Sequence, residues 1–304
     1  MEIFTKDGVE YRRWKVGAST YVACMQLGAR LMSWDIALPT GNRSVIYWPE
    51  SHDLAKFGSV RGGNPVLFPF AGRCHVDGAL GHWVDPEGLK RPMPAHGFVR
   101  QGRCEISACG DNFVEARLLP DDAARAAYPY DYDFFVRYEF GELGFKVEFR
   151  LENKGGKRMP WGPGHHFYFT LPWHKGLARK DYVLKFDAKK AVKHAADGTF
   201  VPEKEVELPA TFDHPRLSDT LFTKLKSDIV LFGPKSGEED IRITYGETPA
   251  ATTALVTWTD KDDSPFYCVE PWVCLPNAPA NKFEGCRWVE PGHADRFVCR
   301  VDLA

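Results

Sequence analysis

The chain has 304 residues, with 39 Lys and Arg against 41 Asp and Glu, so its formal net charge is −2. Apolar residues make up 44% of it, enough to bury a core, which excludes wholesale disorder. The near-neutral balance argues against a general nucleic-acid binder, which carries a basic excess, and no apolar run approaches the ~18 residues of a membrane span.

The opening stretch MEIFTKDGVEYRRWKVG has no apolar segment of the kind a secretory leader needs. The eight cysteines, at 24, 74, 104, 109, 268, 274, 286 and 299, are therefore expected to be reduced, mostly buried thiols of a cytoplasmic protein. They form no CxxC pair, which argues against a zinc ribbon or a thioredoxin motif.

The 27 Gly and 22 Pro, about 16% of the chain against a usual ~12%, favour many short strands joined by turns. Segment 121–130, DDAARAAYPY, is expected to hold one short turn of helix, stopped by Pro129. FFVRYEF at 134–140 and FKVEFRLE at 145–152 read as strands joined by the hairpin turn GELG. In the second, Phe145, Val147, Phe149 and Leu151 alternate with Lys146, Glu148, Arg150 and Glu152, the period of a strand with one buried face. YVLKFDA (182–188), DIVLFG (228–233), IRITYG (241–246) and ATTALVTWT (251–259) read as further strands, separated by Gly, Pro or Asp clusters. RWVEPG (287–292) and RFVCRVDL (296–303) read as a closing hairpin split by a Pro-Gly turn. No repeat, low-complexity tract or linker interrupts the series, so the expectation is a single antiparallel all-β domain over 1–304.

Four polar clusters lie beside these strands and turns. In RGGNPVLFPFAGR (61–73), Arg61 and Arg73 flank a Gly-rich turn and an apolar strand. Paired glycines let backbone approach a ligand, and arginines grip anionic oxygens in a fork; alternatively each arginine is a solvated strand end. In MPAHGFVRQG (93–102), His96 and Arg100 can project into one cleft, or His96 can be a turn histidine bonded to backbone. In MPWGPGHHFYFTLPW (159–173), adjacent strand residues face opposite ways, so at most one of His165 and His166 points into a given site. A buried imidazole among aromatics suits acid chemistry, or is a core histidine satisfied by a carbonyl. In FYCVEPWVCLPNA (266–278), Glu270 sits inside an apolar strand. A carboxylate buried there either does proton chemistry or makes a structural salt bridge. Asp219 in RLSDTLF can accept sugar hydroxyls or serve a turn, and Trp48, Trp161 and Trp272 can stack on a sugar ring or fill the core. A nucleophile elbow of the GxSxG type is absent.

Taken in order, RGGNPVLFPFAGR, MPAHGFVR, GPGHHFYF, SDTLF and CVEPW resemble the galactose mutarotase-like family, the aldose 1-epimerases and hexose-6-phosphate 1-epimerases. The resemblance implies a β-supersandwich, two large antiparallel sheets packed face to face, with the site on a concave face. It implies Glu270 as general base on the anomeric hydroxyl and His165 as general acid on the ring oxygen. The ring opens, the bond between carbons one and two rotates, and the ring recloses, without metal or organic cofactor. It implies that His96 and Asp219 bind sugar hydroxyls. The RGG turn and the HGxxR arginine resemble the hexose-phosphate branch, in which basic residues hold the phosphate; here these are Arg61, Arg73 and Arg100. The expected partner is a small sugar or sugar phosphate, not nucleic acid or membrane. An aldose 1-epimerase is the leading reading and a hexose-6-phosphate 1-epimerase the alternative. A carbohydrate-binding protein without catalysis and a hydrolase using Asp219 and Glu270 are further ones.

Overall fold

The computed structural model describes residues 1–204, 206–246 and 253–304. Among them two large antiparallel sheets dominate. The thirteen-stranded sheet begins with Glu2–Lys6, Val9–Val16, Ser19–Cys24, Arg30–Leu38 and Gly41–Ile46. It continues through Phe167–Thr170, Phe266–Trp272, Ala254–Trp258, Thr220–Leu225, Ala188–His194 and Phe200–Pro202, and the short strands Val66–Leu67 and Gly164–His165 join it off this path. The nine-stranded sheet runs Arg103–Cys109, Phe113–Leu119, Tyr132–Phe140, Gly144–Asn153, Ala294–Leu303, Ile241–Tyr245, Ile229–Pro234, Tyr182–Lys185 and Ala210–Thr211.

The sheets pack face to face through their aromatic rows. Tyr21 meets Phe140 at 4.6 Å between ring centroids, Trp34 meets Phe145 at 5.7 Å, and Phe169 meets Phe232 at 4.8 Å. The alternation read in 145–152 is what makes this possible: Phe145, Val147, Phe149 and Leu151 are fully buried between the layers. Burying such side chains stabilises by about 1.5–3 kcal/mol each.

The hairpin expected around GELG forms, with Phe134 opposite Leu151 and Phe140 opposite Phe145, and Gly141 N–H donates to the Gly144 carbonyl at 2.7 Å. The helix expected in 121–130 is Asp122–Ala127, its first turn capped by the Asp121 carboxylate, which accepts from Ala124 N–H at 2.8 Å. ATTALVTWT is a strand over Ala254–Trp258, and its residues 251–252 lie outside the described residues.

The closing hairpin is corrected. Arg287–Val289 pairs with Met159–Trp161, while Ala294–Leu303 pairs with Gly144–Asn153 on one edge and Ile241–Tyr245 on the other. Both edges of the last strand are therefore taken, nine of its residues pairing on one side and five on the other, more than a three-residue partner could supply. Asn153 ties the two regions together, donating from Nδ2 to the Val289 carbonyl at 2.8 Å. All eight cysteines are free thiols, six of them buried. Among the described residues no helix is long and apolar enough to cross a membrane.

Candidate active site

Register builds the site. In the larger sheet Tyr168 lies opposite Cys268, and Trp258 is on the other side of Cys268. Phe167 lies opposite Val269, so one step along the chain His166 comes level with Glu270, whose other neighbour is Val256. Side chains two apart on a strand share a face, so Cys268, Glu270 and Trp272 project together away from the inter-sheet core.

Above this face is a cavity of about 290 Å³. Arg61, Arg73, His96, Arg100, Asp219 and Glu270 all line it, so six of the seven residues named from sequence converge. The seventh does not. His165 is fully buried in the inter-sheet core, its ring 4.2 Å from that of Phe149, 5.0 Å from Phe167 and 5.1 Å from Phe297. Placing His165 in the cleft is corrected to His166, which lines the cavity with its ring stacked on Tyr168 at 4.7 Å. The reason is parity. His165 shares its face with Phe167 and Phe169, which the core takes; His166 shares its face with Tyr168 and Thr170.

Asn64 fixes this choice. Its Oδ1 accepts from His166 N–H at 3.1 Å, while its Nδ2 lies 3.2 Å from His165 Nδ1 and donates to Tyr138 Oη at 3.2 Å. With Asn64 fully buried, those bonds satisfy an amide that would otherwise cost about 1–3 kcal/mol.

His166 Nδ1 stands 3.4 Å from Glu270 Oε1. No aligned hydrogen bond joins them, and His166 Nδ1 and Glu270 Oε2 have no hydrogen-bond partner among the described residues. Burial pushes the Glu270 carboxyl well above the usual carboxylate range; the Trp272 indole N–H opposes this and the Asp219 charge adds to it. Burial pushes His166 well below the usual imidazole range, and His96, Arg100 and Arg30 push the same way.

His96 sits in a left-handed turn with φ of 65°, and Gly97 follows at 72°. A Cβ at Gly97 would lie 1.7 Å from the Phe68 carbonyl oxygen, so only glycine lets this turn dock. Docked, His96 N–H donates to the Gly72 carbonyl at 2.6 Å and His96 Nδ1 accepts from Gly72 N–H at 3.1 Å. Nδ1 is thus the acceptor and Nε2 carries the proton, a donor for a sugar oxygen. Burial, with the charges of Arg100 and Arg73, lowers His96 to about 3, so it stays neutral.

Arg61 makes an ion pair with Asp260 and lies 5.6 Å over the Trp258 ring. Arg73 and Arg100 line the cavity and enter no salt bridge among the described residues. Asp219 is exposed at the rim with φ of 55°. Of the tryptophans singled out, Trp272 forms a wall, Trp161 is fully buried with its N–H on Asp295 Oδ2 at 2.8 Å, and Trp48 packs on Arg30. Tyr168, His194 and Trp258 also line the cavity and were not singled out for it. Tyr168 and Trp258 carried a signal, sharing strand parity with His166 and with Glu270's neighbours.

The aldose 1-epimerase family model matches residues 13–300. Protein LacX of Lactococcus lactis subsp. lactis is 25% identical over 222 residues, 68% of this chain and 72% of that protein. A galactose mutarotase-like protein from Clostridium acetobutylicum superposes with a TM-score of 0.80 at 17% identity, covering 100% of this chain and 98% of that one. A galactose mutarotase related enzyme from Lactobacillus acidophilus gives 0.77 at 17% identity, covering 97% of each. These structures share the fold of two large antiparallel sheets, and the family match spans every cavity residue. The chain belongs to the aldose 1-epimerase family.

Proposed function

We propose that this protein interconverts the α and β anomers of an aldose, with Glu270 as general base and His166 as general acid. The observation that carries the proposal is the pairing of these two side chains, 3.4 Å apart at the floor of the cavity, Glu270 on its strand and His166 just before Phe167–Thr170. The anomeric hydroxyl and the ring oxygen sit on one carbon, so an acid and a base serving both must lie this close together. The Glu270 carboxylate takes the proton of the anomeric hydroxyl while the His166 imidazolium gives its proton to the ring oxygen. The bond from carbon one to the ring oxygen breaks, leaving the open-chain aldehyde, a carboxyl and a neutral imidazole. Rotation about the bond between carbons one and two presents either face, and the reverse transfers close the ring. Those neutral forms are the ones that burial favours, so burial of the pair favours the opened state. His96 Nε2–H and Asp219 hold sugar hydroxyls, and Trp272 and Trp258 wall the ring.

A second reading concerns the substrate. Arg73 and Arg100 reach the cavity without carboxylate partners among the described residues, and Arg61 adds a third guanidinium. Such a cluster favours an aldose carrying a phosphate, which gains charge-assisted hydrogen bonds that a neutral sugar lacks. The test is anomer exchange by NMR magnetisation transfer on glucose, galactose and glucose 6-phosphate. Acceleration lost in Glu270→Gln supports the epimerase. Preference for the phosphate that falls in Arg100→Ala supports the second reading. Binding of sugars with no acceleration of any of the three would leave a carbohydrate-binding protein.

A further inference from the structure

Cys268 lies directly behind the acid–base pair. It is fully buried, two residues before Glu270 on the same strand face, with Tyr168 and Trp258 flanking it in register. One ligand atom each from His166, Cys268 and Glu270 falls within 4.8 Å of the others. All three residues are at least nine-tenths buried, and His166 Nδ1 and Glu270 Oε2 lack partners among the described residues. Imidazole, thiolate and carboxylate are each zinc ligands, at distances of about 2.0–2.3 Å, and three protein ligands with one position open is the arrangement of catalytic-type zinc sites.

We propose that His166, Cys268 and Glu270 form a three-ligand site for Zn²⁺ whose occupation shuts the sugar site. The inhibitory half of this inference rests on the acid–base roles proposed above; the binding half does not.

Charge supports the binding. A thiolate and a carboxylate carry two negative charges, so with a neutral imidazole they balance a divalent cation and leave no net charge buried. The cavity reaches His166 and Glu270, giving the ion an entry path from the side where water or a sugar hydroxyl would complete its coordination. Thiolate and carboxylate are the metal-binding forms, so zinc displaces protons from Cys268 and Glu270 as it binds. Inhibition follows because the zinc takes the lone pairs through which Glu270 and His166 exchange protons with the sugar.

The test uses the full chain, freed of metal by chelation and titrated with Zn²⁺ and, separately, Co²⁺. The expected result is one ion per chain, a thiolate-to-cobalt charge-transfer band in the near ultraviolet, and affinity more than about ten-fold weaker in Cys268→Ser. Zinc should slow wild-type anomer exchange, chelator should restore it, and the ratio of rates with and without zinc should approach one in Cys268→Ser. Circular dichroism identifies any variant that fails to fold, and Cys268→Ala then repeats the titration. Absence of stoichiometric binding, or binding unchanged in both Cys268 variants, would overturn the proposal. Metal binding is read without any sugar, so zinc bound to a chain that accelerates no anomer exchange would sink the epimerase reading and leave the site standing. Exchange without metal binding would do the reverse.

Discussion

His165 and His166 are adjacent in sequence and live in different solvents. Both are driven toward neutrality by burial, His165 to about 3 with no other cause. That value makes a stability prediction. An unfolded histidine titrates near 6.5, so between pH 6.5 and about 3 the unfolded chain binds a proton that the folded one refuses. Stability then falls as pH drops, by about 1.4 kcal/mol per pH unit for such a residue. Urea denaturation from pH 6 to 4 should show a slope shallower by about one proton in His165→Phe than in wild type; equal slopes would contradict the burial. The Glu270–His166 pair makes a second prediction. In the proposed mechanism the pair works with one proton between a carboxyl that burial raises and an imidazole that burial lowers. The pH profile of kcat/KM should therefore be flat through the ordinary imidazole range near 6.5, and an inflection there would contradict the poise assigned to the pair.

At the scale of elements, the turn at His96 and Gly97 depends on backbone. Gly97→Ala forces a Cβ onto the Phe68 carbonyl at a φ of 72°, so it should cost at least ~2 kcal/mol by thermal or urea denaturation. It should also displace His96 and raise KM more than it lowers kcat; a variant with wild-type stability would show that the turn has room. The same scale shows what was legible beforehand. Strict alternation at 145–152 specified a strand, its buried face and its hairpin partner, because period 2 and a Gly-bounded turn leave one solution. The final strand misled, since sequence adjacency suggested pairing across Pro291-Gly292 while two distant strands offered longer ladders. Glu270 was legible as a lone acid in an apolar strand. The histidine was not settled, because position in a motif was weighed above the parity that sets His165 with two phenylalanines and His166 with a tyrosine. His194 gave no signal, since its strand, Ala188–His194, reaches the cavity only through the pairing of Ala188–His194 with Thr220–Leu225.

Over the whole molecule, a chain of net charge −2 gathers three arginines around one cavity. Local concentration of charge, not overall charge, is what selects an anion. Preference for glucose 6-phosphate over glucose should therefore weaken as salt rises, since exposed Arg73 is screened within a Debye length of about 8–10 Å, and should drop further in Arg73→Ala. A preference indifferent to salt and to Arg73 would place the anion elsewhere or remove it. The two sheets bury one face of the histidine segment, and its other face presents His166 to Glu270. The measurement that tests this most directly is anomer exchange by NMR magnetisation transfer with Glu270→Gln, His166→Asn and His165→Phe side by side. Loss of roughly 10²–10⁴-fold in the first two, with His165→Phe within a few-fold of wild type, is the predicted result. Loss in His165→Phe with His166→Asn still active, each variant folded, would contradict it.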